Sequence, residues 1–470
     1  MSTDDLLART ASLARRFLEG LPSRPVAARA ALGELRAALG GPLPATGSDP
    51  LEVLERLAAA AEGGIVASAG PRYFGFVIGG SLPAALAADW LAAAWDQDAG
   101  LYACGPAAAV VEEVAAGWLL DLLGLPATSS VGFVTGGQMA NFTGLAAGRH
   151  AVLAAAGWEV EEEGLRGGPS VNVVMGEEAH VTILTSLRML GLGSRGAVRV
   201  AADSQGRMRV DALREALARL PGPTIVCTQA GNVSTGAFDP VGEIAEAAHE
   251  RGAWVHVDGA FGLWASASPR LAHLARGVER ADSWATDGHK WLNVPYDCGI
   301  AIVRDAAAHK AAMTGRAAYL VQSTGAERDP QDWTPEFSRR ARGFPVWAAL
   351  RHLGRHGVAA LVDRCCALAR RMADRLSAAP GVRLLNEVVL NQVLVRFEPA
   401  GTVDPDAFTR AVVARVQREG TCWMAGTRWH GMEAMRISIS NWSTTEADVD
   451  RSAEAILACA RAQAAEGGGR

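Results

Sequence analysis

The feature that most constrains this chain is a series of short, continuously apolar segments between residues 131 and 303, separated by stretches of helical character. Candidate strands fall at 131–135, 171–176, 197–202, 224–229, 254–258, 282–286 and 298–303. Helical segments at 138–150, 210–220 and 241–251 lie between several of them. A strand that is apolar along its whole length is covered on both faces. Repeated strand–helix alternation of this kind folds as a mostly parallel sheet between two layers of helix. The expected fold class is therefore α/β. Ligands of such sheets bind at the carboxyl ends of the strands, so the residues just after each strand carry the most functional information.

The flanks differ from this central region. Up to about residue 65 the chain alternates Ala/Leu-rich helical stretches with breaks at 40–42 and 47–50. Beyond about 330, a helical stretch at 346–355, strands at 391–397 and 435–440, and a closing helix from Thr445 form a smaller α+β unit. At 470 residues the chain exceeds the roughly 150 residues of a typical domain. The expected division is a helical arm at 1–85, a large domain at 86–330 and a small domain at 331–470. The balance of 45 basic and 50 acidic residues argues against nucleic acid or an anionic membrane as the main partner. The sequence has no run of 18 apolar, uncharged residues, and the opening MSTDDLLART lacks the apolar core of a signal peptide. Seven cysteines without CxxC spacing read as free thiols of a cytoplasmic protein.

Lysine occurs only at Lys290 and Lys310, so 43 of the 45 basic residues are arginine. A lysine retained against such a bias is a candidate for chemistry that a permanently protonated guanidinium cannot perform, above all Schiff-base formation. Lys310, in AAAHKAAM, reads as an exposed helix face, whereas Lys290 sits in GHKWLNVPYDCG just after a strand.

Several other patterns carry no function. The match to GxGxxG at 191–196 follows a helix and precedes a strand, the reverse of the dinucleotide-binding order. The sequons at Asn141, Asn232 and Asn441 have no meaning in a cytoplasmic chain, Cys365-Cys366 reads as packing, and Glu161–Glu163 as a solvated loop. His256-Val-Asp258 lacks a third ligand nearby, so no metal is expected.

Three strand ends remain. After 131–135 come Gly136-Gly137-Gln138, opening a helix whose bare backbone amides can cradle an anion. The 254–258 strand ends in Asp258, followed by the small residues Gly259 and Ala260. The 282–286 strand leads to His289 and Lys290. An amine for an aldehyde, a carboxylate for a pyridinium nitrogen and a helix N-terminus for a phosphate together match the needs of pyridoxal phosphate. His180, just after the 171–176 strand, is placed to stack on the ring.

These residues, with Gly70-Pro-Arg-Tyr-Phe-Gly75, Glu178-Ala-His180, Gly231 to Asp239, His256-Val-Asp258, Asp282-Ser283, His289-Lys290-Trp291, Ala318-Tyr319-Leu320 and Ser338-Arg339-Arg340, resemble the group II pyridoxal-phosphate-dependent decarboxylases. That family includes aromatic amino acid, glutamate and diaminobutyrate decarboxylases. The resemblance implies the aspartate-aminotransferase-like fold, with an N-terminal arm, a large cofactor domain and a small C-terminal domain. It implies a homodimer with the site at the subunit interface. It implies pyridoxal 5'-phosphate as cofactor and release of CO2 from an L-amino acid. Lys290 then corresponds to the Schiff-base lysine, Asp258 to the partner of the ring nitrogen and His180 to the stacking residue. Gly137 and Gln138 correspond to the phosphate cradle with His289 near it, Ala260 to the opposite ring face, and Tyr319 to a loop tyrosine that protonates the product carbanion. The chain departs from the family pattern at Gly70 before Pro71, at Gly259, at Val181-Thr182 and at Asp287, where some members carry asparagine. Because substrate orientation decides which bond breaks, a carbon–carbon lyase, oxidative deaminase or aminotransferase stays open, as does a non-catalytic cofactor-binding protein.

Overall fold

The computed structural model describes residues 2–315, 323 and 325–467. Helices α1 (Thr3–Gly20), α2 (Leu32–Leu39), α3 (Pro50–Ala61), α4 (Pro83–Trp95) and α5 (Pro106–Leu123) come first. Their starts follow capping chemistry. Ser2 and Asp5 form a reciprocal capping box on α1, and Asp49 accepts from the Leu51 and Glu52 amides ahead of α3. The central region runs β1 (Ser130–Val134), α6 (Gly137–Ala155), α7 (Val160–Glu163), β2 (Asn172–Gly176), α8 (Val181–Met189), β3 (Val198–Val200), α9 (Val210–Ala218), β4 (Thr224–Gln229), α10 (Val241–His249), β5 (Trp254–Asp258), β6 (Ser283–Asp287), β7 (Gly299–Val303) and α11 (Ala306–Met313). The last third holds α12 (Gly343–Ser377), β8 (Val382–Leu384), β9 (Gln392–Phe397), α13 (Pro405–Glu419), β10 (Ala425–Trp429), β11 (Met432–Ser438) and α14 (Glu446–Gly467).

Among the described residues, the large sheet has seven strands in the order β1-β7-β6-β5-β4-β2-β3. β7 pairs antiparallel with both β1 and β6, and the remaining pairs are parallel. All strands but β7 therefore end at one edge. Alternation along the strands sends Val173, Met175, Ile225, Cys227 and Trp254 into a core shared with α6 and α8. Their neighbours Val174, Val226, Val255 and Val257 enter the core on the opposite face. Both faces are covered, as continuous apolar strands require.

The smaller sheet, in the order β10-β11-β9-β8, is antiparallel. β8 and β10 escape sequence reading because neither is an apolar run: β8 is Val-Arg-Leu and β10 is Ala-Gly-Thr-Arg-Trp. α12 bends at Gly354, whose φ of 60° and ψ of 178° interrupt the helical backbone. The acidic run at 161–163 is not a loop but the single turn α7, held where Glu161 meets His150 Nδ1 at 2.5 Å and Arg149 at 3.6 Å. The glycines at 191 and 193 do form a turn, with φ of 75° and 70°.

Candidate active site

The carboxyl edge of the large sheet brings together the ends of β1, β2, β5 and β6. From β1, Gly136 leads into α6, whose first residue is Gly137. A Cβ on Gly137 would lie 2.7 Å from Asp287 Oδ2, so only glycine leaves this helix N-terminus open. Such an end, with unpaired amides and the positive pole of a 19-residue helix, attracts an anion. Gln138 is exposed beside it, with its amide nitrogen 3.7 Å from Met189 Sδ.

Asp258 ends β5 and is 7% exposed. Its Oδ1 accepts from the Ala260 amide at 3.2 Å and its Oδ2 from Asn141 Nδ2 at 3.2 Å. Gly259 fits because a Cβ there would meet Leu263 Cβ at 2.8 Å.

Lys290 follows β6. Its Nζ lies 2.9 Å from Oδ2 of Asp287, which is 2% exposed. Asp287 is thus turned onto the lysine, and its Oδ1 is 3.4 Å from His289 Nε2. His289 Nδ1 accepts from the Cys298 amide at 3.0 Å, which leaves the ring proton on Nε2, facing Asp287. The ring stacks on Tyr296 at 4.1 Å. Burial chiefly lowers the pKa of His289, against the opposite pull of Asp287. Asn293 clamps the segment from behind: its Oδ1 accepts from Gly80 at 2.6 Å and Trp442 at 2.9 Å, and its Nδ2 donates to Ser440 O at 3.0 Å. Gly79 packs so closely that a Cβ would fall 1.9 Å from the Lys290 carbonyl oxygen.

His180 caps α8, and its Nδ1 accepts from Thr182 Oγ1 at 2.8 Å and from the Thr182 amide at 3.4 Å. In the neutral ring the proton therefore resides on Nε2. Burial is the main influence lowering its pKa; Asp258 opposes it, and Lys290 and Arg436 add to it. Thr182, one of the departures from the family pattern, thus sets the tautomer of His180.

Two features lay beyond sequence reading. Arg436, on β11 of the small sheet, has a buried Nε without a hydrogen-bond partner among the described residues. Burial lowers its pKa. Nothing near Arg436 in sequence points to the large sheet. Asn293 adopts a φ of 55°, a property that no residue pattern reveals. Tyr319 lies outside the described residues.

The pyridoxal-dependent decarboxylase conserved domain matches residues 34–398. The chain belongs to this family. It is 28% identical over 437 residues to an aromatic-L-amino-acid decarboxylase of Bacillus atrophaeus, covering 91% of this chain and 89% of that one. It is 30% identical over 385 residues to an L-2,4-diaminobutyrate decarboxylase of Rhizobium meliloti (strain 1021), covering 80% and 75%. A crystal structure of Oryza sativa TDC with PLP and tryptamine superposes with a TM-score of 0.91 at 25% identity, covering 98% of this chain and 99% of that one.

Proposed function

We propose that this decarboxylase acts on an L-amino acid, releasing CO2 and the corresponding amine, through Lys290, Asp258 and His180. The observation that carries the reading is the convergence, at one sheet edge, of the Lys290 amine, the anchored Asp258 carboxylate and an open helix N-terminus at Gly137. These residues fit pyridoxal phosphate, the cofactor of the family, in charge and in chemistry. When bound, the cofactor supplies an electron sink for the bond broken at the substrate Cα.

The chain supplies the rest. Lys290 would supply the amine for the cofactor's aldehyde, and Asp287 holds that amine in an ion pair. Asp258, anchored by Asn141 and the Ala260 amide, would hold a proton on the ring nitrogen without reorganising during reaction. His180 would cover one ring face, its Nε2–H turned to a carboxylate, and Ala260 would back the other. Gly137, Gln138 and His289 would hold the phosphate. Arg436, whose buried Nε has no hydrogen-bond partner among the described residues, would bind the substrate carboxylate. Tyr319 protonates the product carbon.

We assign residues 1–85 to a dimerisation arm, 86–330 to the cofactor domain and 331–470 to the small domain. A homodimer is supported by exposed Leu7, Leu18, Trp90, Leu91, Trp95 and Val110 on the first helices. A cytoplasmic location is supported by seven unpaired cysteines. No helix among the described residues is long and apolar enough to cross a membrane.

The test is an amino-acid panel on the cofactor-loaded enzyme, with CO2 and amine quantified together. Equal yields of the two are expected. Keto acid, or aldehyde with ammonia, in place of amine would contradict the reading.

A further inference from the structure

Asp258 is held by a polar chain that runs away from the cofactor site. On β5, Trp254, His256 and Asp258 share one face. On α6, Asn141, Gly144 and Gly148 share the facing one. They meet pairwise. A Cβ on Gly148 would lie 2.8 Å from Trp254 Cδ1, and one on Gly144 would lie 2.8 Å from His256 Nδ1. The two glycines let α6 approach closely enough for Asn141 to reach Asp258.

The contacts are continuous. Trp254 Nε1 donates to Ser283 Oγ at 2.9 Å, and Ser283 Oγ lies 2.8 Å from His256 Nδ1. His256 Nε2 lies 2.9 Å from Asn141 Oδ1. Asn141 Nδ2 donates to Asp258 Oδ2 at 3.2 Å and to Thr182 Oγ1 at 3.3 Å. Thr182 in turn lies 2.8 Å from His180 Nδ1.

The direction of every bond is fixed from both ends. An indole N–H only donates and an ionised carboxylate only accepts. Asn141 must therefore present its amide nitrogen to Asp258 and its oxygen to His256. His256 must carry its proton on Nε2, and Ser283 must donate to Nδ1. Thr182 accepts from Asn141, so its own proton goes to His180.

We propose that Asn141 is a positioning residue that sets the hydrogen-bond pattern of both Asp258 and His180 toward the cofactor, and that its own orientation is fixed by the buried His256–Ser283–Trp254 chain. The proposal rests on the reading that Asp258 pairs with the ring nitrogen.

Asn141→Asp tests it with almost no change of volume, replacing the donor that faces Asp258 with a like charge. The expected result is a rise of about tenfold or more in the dissociation constant for pyridoxal phosphate at pH 8, from the like-charge contact. The pH profile of the bound cofactor's visible absorbance should shift with it. Ser283→Ala, which touches neither Asp258 nor the cofactor site, should shift the same profile by less. The charged and titratable groups that face Asp258 and His180, namely Lys290, Arg436, Asp287 and Cys227, are left unsubstituted in both variants. Wild-type affinity and profile in Asn141→Asp would overturn the proposal, as would an unmoved profile in Ser283→Ala. Circular dichroism of the cofactor-free chains checks that each variant is folded. Asp258→Ala, run in parallel, separates the two levels. If it binds as wild type, the site reading fails; if it binds weakly while Asn141→Asp is normal, only the role of Asn141 fails.

Discussion

Gly137→Ala separates cofactor binding from stability. The added Cβ would sit 2.7 Å from Asp287 Oδ2 and 3.3 Å from its Cγ. Ordinary contact needs about 3.4 Å or more, so something must move by roughly 0.7 Å. What moves is the tip of the Asp287 carboxylate, a buried group paired with Lys290 Nζ at 2.9 Å, so the shift carries a cost of its own. Against that cost, alanine favours helix over glycine by about 1 kcal/mol. The cofactor-free chain should therefore keep its stability within about 1 kcal/mol. A phosphate held there would have no such freedom, because the methyl group would occupy its approach to the amides that open α6. A charge-assisted hydrogen bond is worth about 1.5–3 kcal/mol, so affinity should fall roughly 10- to 100-fold. The assay is a spectroscopic titration of the cofactor-free enzyme with pyridoxal phosphate and, separately, with pyridoxal. Affinity for the phosphate ester should fall while that for pyridoxal changes less than about twofold. Equal losses for both, or no loss for either, would refute the placement of the phosphate at Gly137.

Arg436→Met should lower kcat/KM by about 10- to 100-fold, the worth of a charged hydrogen-bond pair, with cofactor affinity unchanged; a weakened cofactor with normal substrate kinetics would reassign the residue. Burial lowers His256 and His309 to about 3, so between pH 6.5 and 3 the unfolded chain takes up protons that the folded chain refuses. Stability should therefore fall with pH across that window by about 1.4 kcal/mol per unit for each histidine, and urea titrations of His309→Gln should show a shallower slope than wild type. Tyr319→Phe should let CO2 release outlast amine formation, with aldehyde or ammonia rising; an unchanged ratio of amine to CO2 would leave the hydroxyl without a catalytic part.

The large sheet was legible because its strands are short, apolar and covered on both faces: 224–229 and 254–258 were read to the residue, and β1, β2, β6 and β7 to within a residue or two. The gathering of Lys290, Asp258, His180 and Gly137 at one sheet edge was legible for a related reason, since each lies at or just beyond a strand end, where sequence order and sheet edge coincide. Arg436 was hidden because its closeness to His180 depends on how the small sheet meets the large one. The order Asn141–His256–Ser283 was hidden because it crosses one helix and two strands. Only the glycines at 144 and 148, spaced one helical turn apart, hinted that α6 lies close against something bulky.

Lys290 is the amine proposed to carry the cofactor. Lys310 is the control supplied by the sequence itself: its side chain is half exposed and paired with Asp332 at 2.5 Å, away from the sheet edge. The direct measurement is borohydride reduction of the loaded enzyme followed by peptide mapping. The pyridoxyl group should be found on Lys290, and Lys290→Arg should remain folded but incorporate none, because a guanidinium forms no Schiff base. Label on Lys310, or undiminished incorporation in Lys290→Arg, would contradict the account.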